Sequence, residues 1–238
     1  MPRSTACRCG AAKCGSAKPI NQLATPSAVI FDMDGLLLDT ERLYSEGIGQ
    51  VLARYGKRYD WAIKETVMGR PSAEVARYLV NTLSLPISPE TYSRERDEVL
   101  SELFVDAEAK PGAKALVRAL HKQGIPIAVA TGSSRPLLAL KTTRHQSWFS
   151  LFNVVVSAED DEVAQGKPAP DVFLVAASKL GVEPATCLVF EDSPAGAHSG
   201  IAAGMQVIAI PDARTNRALF PENVTFLAGL EHFHRAHW

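Results

Sequence analysis

The sequence lacks the charge excess and the long apolar run that would mark a nucleic-acid-binding protein or a membrane protein. Its 25 lysines and arginines against 26 aspartates and glutamates leave a formal net charge of −1 at pH 7, whereas nucleic-acid binders usually carry a basic excess or stripe. No stretch approaches the roughly 18 consecutive apolar residues of a membrane span, and no apolar signal-peptide core follows the N-terminus. We therefore expect neither nucleic acid nor membrane as a partner.

Cysteine is also scarce, and three of the four cysteines lie near the N-terminus. The spacing of Cys7, Cys9 and Cys14 fits no standard zinc pattern, and no fourth ligand is near them, so we expect no structural metal there. Cys187 lies in an apolar, strand-like segment and is expected to be a buried thiol. The body of the chain has no disulfide framework, which makes a reducing compartment, the cytoplasm, the expected location.

Residues 1–25 differ in composition from the rest of the chain. They contain the basic residues Arg3, Arg8, Lys13 and Lys18, no acidic residue, and many alanines and serines. This composition predicts a disordered basic leader. It also resembles an organelle transit peptide, so an organelle is the alternative location.

Strand-like segments recur along the rest of the chain. They are short and aliphatic and do not alternate apolar with polar residues, which is typical of strands buried on both faces of a parallel sheet. Helical patterns between them stop at glycine, as helices commonly do. The alternation predicts an α/β fold, a Rossmann-like doubly wound sheet with right-handed crossovers. The predicted strands are Ser27–Phe31, Ile127–Ala130, Asn153–Val156, Cys187–Phe190 and Gln206–Ile210, and the predicted helices are Pro111–Gln123, Ala169–Leu180 and Pro194–Ala203.

About ninety residues separate the first predicted strand from the second, which is too long for a simple crossover or a structureless loop. We therefore expect a helical cap, residues 41–105, inserted after the first strand, and a core made of residues 26–40 and 106–238. The predicted cap helices are Glu41–Tyr55, Asp60–Met68, Ser72–Leu83 and Pro89–Phe104.

Acidic residues follow two of the predicted strands, at the edge of the sheet where open α/β folds bind ligands. Asp32 and Asp34 follow the first strand. Asp32 could attack phosphorus as a nucleophile, and Asp34 could pass a proton to the leaving oxygen. Glu191 and Asp192 follow the fourth strand, and carboxylates that converge from two strand ends suit Mg²⁺. The alternative in each case is a turn or a helix cap.

A second set of residues could bind a phosphoryl group. Thr131, Gly132 and Ser133 follow the second strand and offer hydroxyl and backbone N–H donors to an anion, although they could equally form an ordinary helix N-cap. Lys167 lies in a proline-containing loop before a helix. There it could neutralise charge in a transition state, or it could be a solvated surface lysine.

In this order the segments resemble the four signature motifs of the haloacid dehalogenase superfamily, and the resemblance runs from about Val29 to Pro211. It implies a Rossmann-like core with a helical cap after the first strand, Mg²⁺ as the cofactor, and a small phosphorylated metabolite as the substrate. The matching residues are Asp32-x-Asp34-Gly35, Thr131, Lys167 and Glu191-Asp192.

The resemblance also implies a role for each matching residue. Asp32 would be the nucleophile and a metal ligand, and Asp34 would be the acid/base, with its backbone carbonyl also meeting the metal. Asp192 would ligate Mg²⁺ with the help of Glu191. The phosphoryl group would be bound by Lys167 and by the segment that begins at Thr131.

Longer segments resemble a narrower group in that superfamily, the pseudouridine-5'-phosphatases and the plant glycerol-3-phosphatases. This resemblance implies hydrolysis of pseudouridine 5'-phosphate or glycerol 3-phosphate through an aspartyl-phosphate, and we expect a monomer. The chain departs from the group at Gly132, Ala158–Glu162, His198 and Gly200, but none of these removes a catalytic group. The resembling segments are Phe31–Glu41, Val67–Arg70, Leu140–His145 and Gly166–Pro168.

The cap is expected to select the substrate, with Glu41, Tyr44 and Arg70 as the candidate contacts. Arg144 and His145 enter through the resemblance only, and His145 could equally be a structural histidine.

Other reactions use the same core. A phosphomutase of the β-phosphoglucomutase type would carry a histidine near the position of Tyr44, and a phosphonatase would need a cap lysine such as Lys57 or Lys64. A dehalogenase is disfavoured because Asp34 and the second acidic pair serve phosphate and metal chemistry. A non-catalytic binding protein stays an alternative because a fold does not fix a function.

Overall fold

The structure, a computed structural model, describes residues 25–67 and 72–233. Its centre is a parallel sheet of six strands. The strands are β1 Ala28–Phe31, β2 Ile127–Thr131, β3 Val154–Ser157, β4 Cys187–Glu191, β5 Gln206–Ala209 and β6 Thr225–Phe226. They lie side by side in the order β3-β2-β1-β4-β5-β6. The predicted α/β fold with a doubly wound parallel sheet is confirmed.

The first five strands agree with the predicted segments to within one residue at each end. Strand β6 was not predicted, because two residues are too few to show a periodic pattern. Successive residues of β1 face opposite layers of core, since strand side chains alternate in direction. Val29 and Phe31 belong to one apolar cluster, and Ala28 and Ile30 belong to the other.

Helices cover both faces of the sheet. On the face of Val29 and Phe31 lie α5, Ala113–Lys122, and α7, Gln146–Phe149. The opposite face is covered by α8, Asp171–Leu180, and α9, Pro194–Ala202. The short helix α6, Arg135–Lys141, adds Leu138 to the cluster of Val29 and Phe31 and also packs against helix α4. Three 3₁₀ turns complete the core, at Pro184–Thr186, Arg217–Leu219 and Leu230–His232.

Four helices lie between β1 and α5, in the described part of the segment predicted to form the cap. They are α1 Thr40–Arg54, α2 Trp61–Val67, α3 Ser72–Thr82 and α4 Pro89–Phe104. They enclose an apolar cluster of their own, which includes Val51, Leu79 and Tyr92. The residue boundaries proposed for core and cap remain a prediction.

Several expectations concern residues outside the described ranges, namely the leader with Cys7, Cys9 and Cys14, and the cap candidate Arg70. Cys187 is buried, as expected, and burial raises the pKa of its thiol to about 11. Within the described ranges, no helix combines the length and the apolar character needed to cross a bilayer.

Gly200 has a packing role in α9. A methyl group at this position would lie 2.7 Å from Cγ2 of Val207 and 3.5 Å from Cγ1 of Val189. Both valines belong to the sheet beneath the helix. The absence of a side chain at Gly200 therefore lets α9 lie close to the sheet, which gives a physical reason for this departure from the related sequences.

We predict that Gly200→Ala destabilises the protein by about 1–3 kcal/mol, the usual range for overpacking a core. Helix propensity alone favours alanine by roughly 1 kcal/mol, but the β-branched Val207 has little freedom to move aside. Gly49→Ala in α1 is the matched control, because its new methyl group would meet nothing within 4 Å. It should stabilise the protein. Urea midpoints measure both changes, and a stabilised Gly200→Ala protein would contradict the close packing of α9.

Candidate active site

Parallel strands bring the predicted catalytic segments to one edge of the sheet. Asp32 follows β1, Thr131 ends β2 and Glu191 ends β4. Because β1 pairs with both β2 and β4, these three residues converge on one site. The loop before α8 adds Lys167, whose ammonium group reaches the same place.

Lys167 is the shared cation of this site. Its Nζ donates to Asp32 Oδ1 at 2.5 Å, to Glu191 Oε1 at 2.7 Å and to the carbonyl of Ala130 at 3.0 Å. All three ammonium protons therefore have acceptors, and the side chain is only 11% exposed. Lys167 is not the solvated surface lysine that its sequence alone allowed.

Glu191 is a buried anion at the N-terminus of α9. Its Oε2 accepts from the backbone N–H groups of Asp192 and Ser193, both at 2.9 Å, and from the Ser193 hydroxyl at 3.0 Å. The Ser193 hydroxyl also caps α9 by accepting from Gly196 N–H at 3.1 Å. The helix cap that the sequence allowed is thus present at Ser193, and it leaves the neighbouring acids available to the site.

An acidic cluster forms where the two strand ends meet. One carboxylate oxygen from each of Asp32, Glu191 and Asp192 lies within 4.8 Å of the others. Gly35 presses against the Asp192 carboxylate, which leaves no room for a side chain there. Its φ of 79° is also one that glycine adopts readily. Residue 35 therefore lets the β1 loop approach the second acidic pair.

The cluster contains three carboxyl groups, and among the described residues only Lys167 forms ion pairs with them. Burial raises the pKa of Asp32 to about 8, with Glu191 and Asp34 adding to the effect and the charge of Lys167 opposing it. Burial, then Glu191 and Asp32, also raise the pKa of Asp192 well above its ordinary value. Asp192 makes no ion pair with any residue that the structure describes.

A divalent cation with a preference for oxygen would remove this imbalance. The donor set consists only of carboxylate oxygens, close enough together to share one ion, and such a set suits Mg²⁺ rather than a thiophilic metal. The residues present therefore fit the expected cofactor.

Asp34 is held apart from the cluster. Its Oδ2 accepts from the hydroxyls of Ser133 at 2.7 Å and Thr131 at 3.2 Å, and its Oδ1 accepts from Lys141 Nζ at 2.5 Å. Burial alone would raise the pKa of Asp34, but the charge of Lys141 and side-chain hydrogen bonds with Lys141, Ser133 and Thr40 hold the pKa below its ordinary value. Asp34 is therefore ionised, and each of its carboxylate oxygens accepts at least one hydrogen bond.

The other predicted phosphate-binding residues have different surroundings. Thr131 is fully buried and Ser133 is nearly so, and Ser133 N–H donates to the Thr131 hydroxyl at 3.0 Å. Gly132 is exposed, with open space on its side-chain side. Only Gly132 in this segment faces open space, and the phosphate-binding role of all three stays a prediction.

Lys141 is the site residue that sequence reasoning missed. It ends α6, its side chain is fully buried, and its Nζ contacts Asp34 directly. The only sequence signal was its place in the segment Leu140–His145. A helix of seven residues shows too few turns for its buried face to be read from apolar spacing.

The cap candidates lie in two places. Glu41 lines a cavity of about 430 Å³ between the cap helices and the core, and its carboxylate pairs with Lys64 at 2.9 Å. Tyr44 does not line this cavity, because its hydroxyl accepts from Lys141 at 3.0 Å. The cavity walls also include Gly35, Tyr59, Trp61, Asp192 and Arg214.

Arg144 and His145 contact the segment that follows α4 and leads back into the core. Arg144 pairs with Asp106 at 2.5 Å, and Nε2 of His145 donates to the carbonyl of Ala107 at 2.7 Å. His145 is only 4% exposed. These contacts hold the second connection between cap and core, which agrees with a structural histidine.

Sequence comparison identifies relatives over most of the chain. The family model of the haloacid dehalogenase-like hydrolases matches residues 26–204. A probable pseudouridine-5'-phosphatase of Drosophila melanogaster is 46% identical over 207 residues, which cover 86% of this chain and 90% of the relative. The mitochondrial (DL)-glycerol-3-phosphatase 1 of Arabidopsis thaliana is 45% identical over 215 residues, covering 88% of this chain and 72% of the relative.

A solved structure has the same fold. A putative β-phosphoglucomutase of Thermotoga maritima superposes with a TM-score of 0.71 at 30% identity, covering 86% of this chain and 94% of the other. The superposition agrees with the parallel sheet described above. Together with the family model and the relatives, it confirms the resemblance predicted from the motifs, and the chain belongs to the haloacid dehalogenase-like hydrolase family.

Proposed function

We propose that this hydrolase is a Mg²⁺-dependent phosphatase that releases phosphate from a small metabolite through an aspartyl-phosphate on Asp32. The observation that carries the proposal is the geometry around Asp32. Lys167 holds its Oδ1 at 2.5 Å, and no residue in the described ranges donates a hydrogen bond to its Oδ2. One oxygen is therefore fixed and the other is available to attack phosphorus.

The reaction would take two steps. In the first, a carboxylate oxygen of Asp32 bonds to phosphorus, and the bond from phosphorus to the leaving oxygen breaks. In the second, water attacks the phosphorus of the aspartyl-phosphate and frees Asp32 and inorganic phosphate. Lys167 and the segment Thr131–Ser133 would bind the phosphoryl oxygens and stabilise their charge. Mg²⁺, held by Asp32, Asp192 and Glu191 and by the Asp34 carbonyl, would screen the repulsion between phosphate and carboxylate.

Asp34 would move the protons in both steps. It would give a proton to the leaving oxygen in the first step and take one from the attacking water in the second. The lowered pKa of Asp34 favours its ionised form, which is ready for the second role. For the first role a proton can arrive with the substrate, because a phosphate monoester has a pKa near 6 and binds in part as the monoanion.

The substrate class follows from the relatives and from the cavity. Pseudouridine 5'-phosphate and glycerol 3-phosphate are the two candidates that the names of the relatives suggest. A cavity of about 430 Å³ lies in the size range of pockets that enclose a whole small ligand. Its walls offer the acid Glu41, the base Lys64 and the aromatic ring of Trp61, which supports a polar organic group beyond the phosphate.

We predict Mg²⁺-dependent phosphate release from at least one of these two esters, and a loss of roughly 10³-fold or more in Asp32→Asn, which removes the nucleophile. Release of inorganic phosphate is measured for both esters with and without Mg²⁺. Asp97→Asn, a change on the exposed side of α4, is the matched control and should keep full activity. A folded wild-type protein that releases no phosphate from any small ester would refute the proposal and favour a binding role.

A sugar phosphomutase is the second candidate, because a putative β-phosphoglucomutase shares the fold at 30% identity. Tyr44 stands near the position where such mutases carry a histidine, and its hydroxyl is bonded to Lys141. We therefore expect β-glucose 1-phosphate to be hydrolysed or left intact. Formation of glucose 6-phosphate, followed with a coupled dehydrogenase, would instead identify a mutase.

Mg²⁺ should bind to the acidic cluster before any substrate does. At a concentration a hundredfold above its Kd, the ion should stabilise the fold by roughly 2.7 kcal/mol, or about 5–10 °C in Tm for a chain of this size. Asp192→Asn should lose most of this shift, and Asp97→Asn should keep it. Thermal melts at constant ionic strength measure the shift in Tm for each variant. An equal shift in both variants would place the ion elsewhere.

The cytoplasm is the proposed location, with an organelle as the alternative. The leader composition and the name of the mitochondrial Arabidopsis relative support the alternative. Imaging of the full chain with a C-terminal fluorescent tag distinguishes the two.

A further inference from the structure

The burial of the charged Lys141 side chain costs free energy, which its surroundings must offset. Its side chain is 0% exposed, and an ammonium group removed from water is strongly disfavoured unless it is fully paired. Its Nζ donates to Asp34 Oδ1 at 2.5 Å, to Ser133 Oγ at 2.8 Å and to Tyr44 Oη at 3.0 Å. Each ammonium proton has one acceptor, so the head group has a single defined position.

Aromatic rings from the cap close the remaining space around this ammonium group. The centroid of the Phe104 ring lies 4.5 Å from Nζ, and that of the Tyr44 ring lies 4.9 Å away. Phe104 ends α4 and Tyr44 lies in α1. Rings at this distance attract a cation and exclude water, which strengthens the ion pair with Asp34.

Helix α6 fixes the other end of the Lys141 side chain. Ser134 caps the helix by accepting from Leu137 N–H at 3.4 Å. At the first helical residue, the guanidinium of Arg135 donates to both carboxylate oxygens of Asp160, at 2.7 and 2.6 Å. A helix of only two turns, anchored in this way, gives Lys141 a rigid base.

We propose that Lys141 is a positioning residue, which holds the Asp34 carboxyl group in the orientation needed for proton transfer to the leaving oxygen. The proposal rests on the phosphatase function and the acid/base role proposed above. Lys141 would act through Asp34, since its three protons already have protein acceptors. General acid–base catalysis contributes typically 10²–10⁴-fold to a rate, and a misplaced acid loses much of that factor.

The leaving group distinguishes positioning from simple structural support. An alkyl phosphate such as glycerol 3-phosphate expels a basic alkoxide that needs a proton, whereas p-nitrophenyl phosphate expels a stable phenolate that does not. The value of kcat/KM reports the steps up to the first irreversible one, in which the leaving group departs. It is therefore the quantity to compare between the two substrates.

We expect Lys141→Met to lower kcat/KM about 10–100-fold for the alkyl phosphate and less than about threefold for the aryl phosphate. Lys141→Arg keeps the charge and should recover part of the loss. Lys122→Met, the same change at an exposed lysine that ends α5, is the control and should change neither value. An equal loss for the two substrates would overturn the proposal and leave Lys141 a structural residue.

A double-mutant cycle keeps the test decisive even if Lys141→Met alone folds poorly. Removing Lys141 leaves Asp34 as an unpaired buried charge, whereas Asp34→Asn combined with Lys141→Met removes both charges and should fold. If Lys141 acts through Asp34, the double variant should be no less active on the alkyl phosphate than Asp34→Asn. A further tenfold loss would refute the proposal. An inactive wild type would instead show that the phosphatase function itself is wrong.

Discussion

Mutual repulsion among four carboxylates at one edge of the sheet is the constraint on which the rest of the site depends. Asp32, Asp34, Glu191 and Asp192 are brought together because β1 and β4 are neighbours and parallel. Like charges this close raise one another's pKa values and oppose ionisation. The surrounding structure offsets this repulsion with different partners for different acids.

These partners come from different elements of the fold. Lys167, from the loop before α8, lies between Asp32 and Glu191, and the first N–H groups of α9 add hydrogen bonds to Glu191. Lys141, from α6, pairs with Asp34 alone. Asp192 has no ion-pair partner in the part of the chain that the structure describes, which makes it a suitable place for a metal ion. The fold thus separates a cluster of three acids, which suits a metal ion, from Asp34, the proposed acid/base.

The sequence predicted the sheet and the three motifs at strand ends, because both leave short-range signals. Aliphatic runs such as Cys187–Phe190 mark buried strands, and polar residues that follow them mark the ligand edge. Lys141 and the close approach at Gly200 could not be predicted, because each depends on a partner distant in the chain. Asp34 is 107 positions from Lys141, and nothing in the local pattern of α6 indicates which of its side chains turns inward. The hydrogen bond from Lys141 to Tyr44 could not be predicted for the same reason, and the role of Tyr44 as a substrate contact stays a prediction.

Lys141 contacts both Asp34 and the cap residue Tyr44. This shared contact limits how freely members of the family can exchange their caps. A cap can be exchanged for one with a different substrate preference only if the exchange leaves the catalytic residues of the core unchanged in position. Here α1 and α4 supply an acceptor and two rings to the ammonium group that pairs with Asp34, the proposed acid/base. A cap transplanted from a relative without a counterpart to Tyr44 and Phe104 would bring its own selectivity and weaken proton transfer at the same time. Recombination between such relatives should therefore succeed most often when cap and α6 are inherited together.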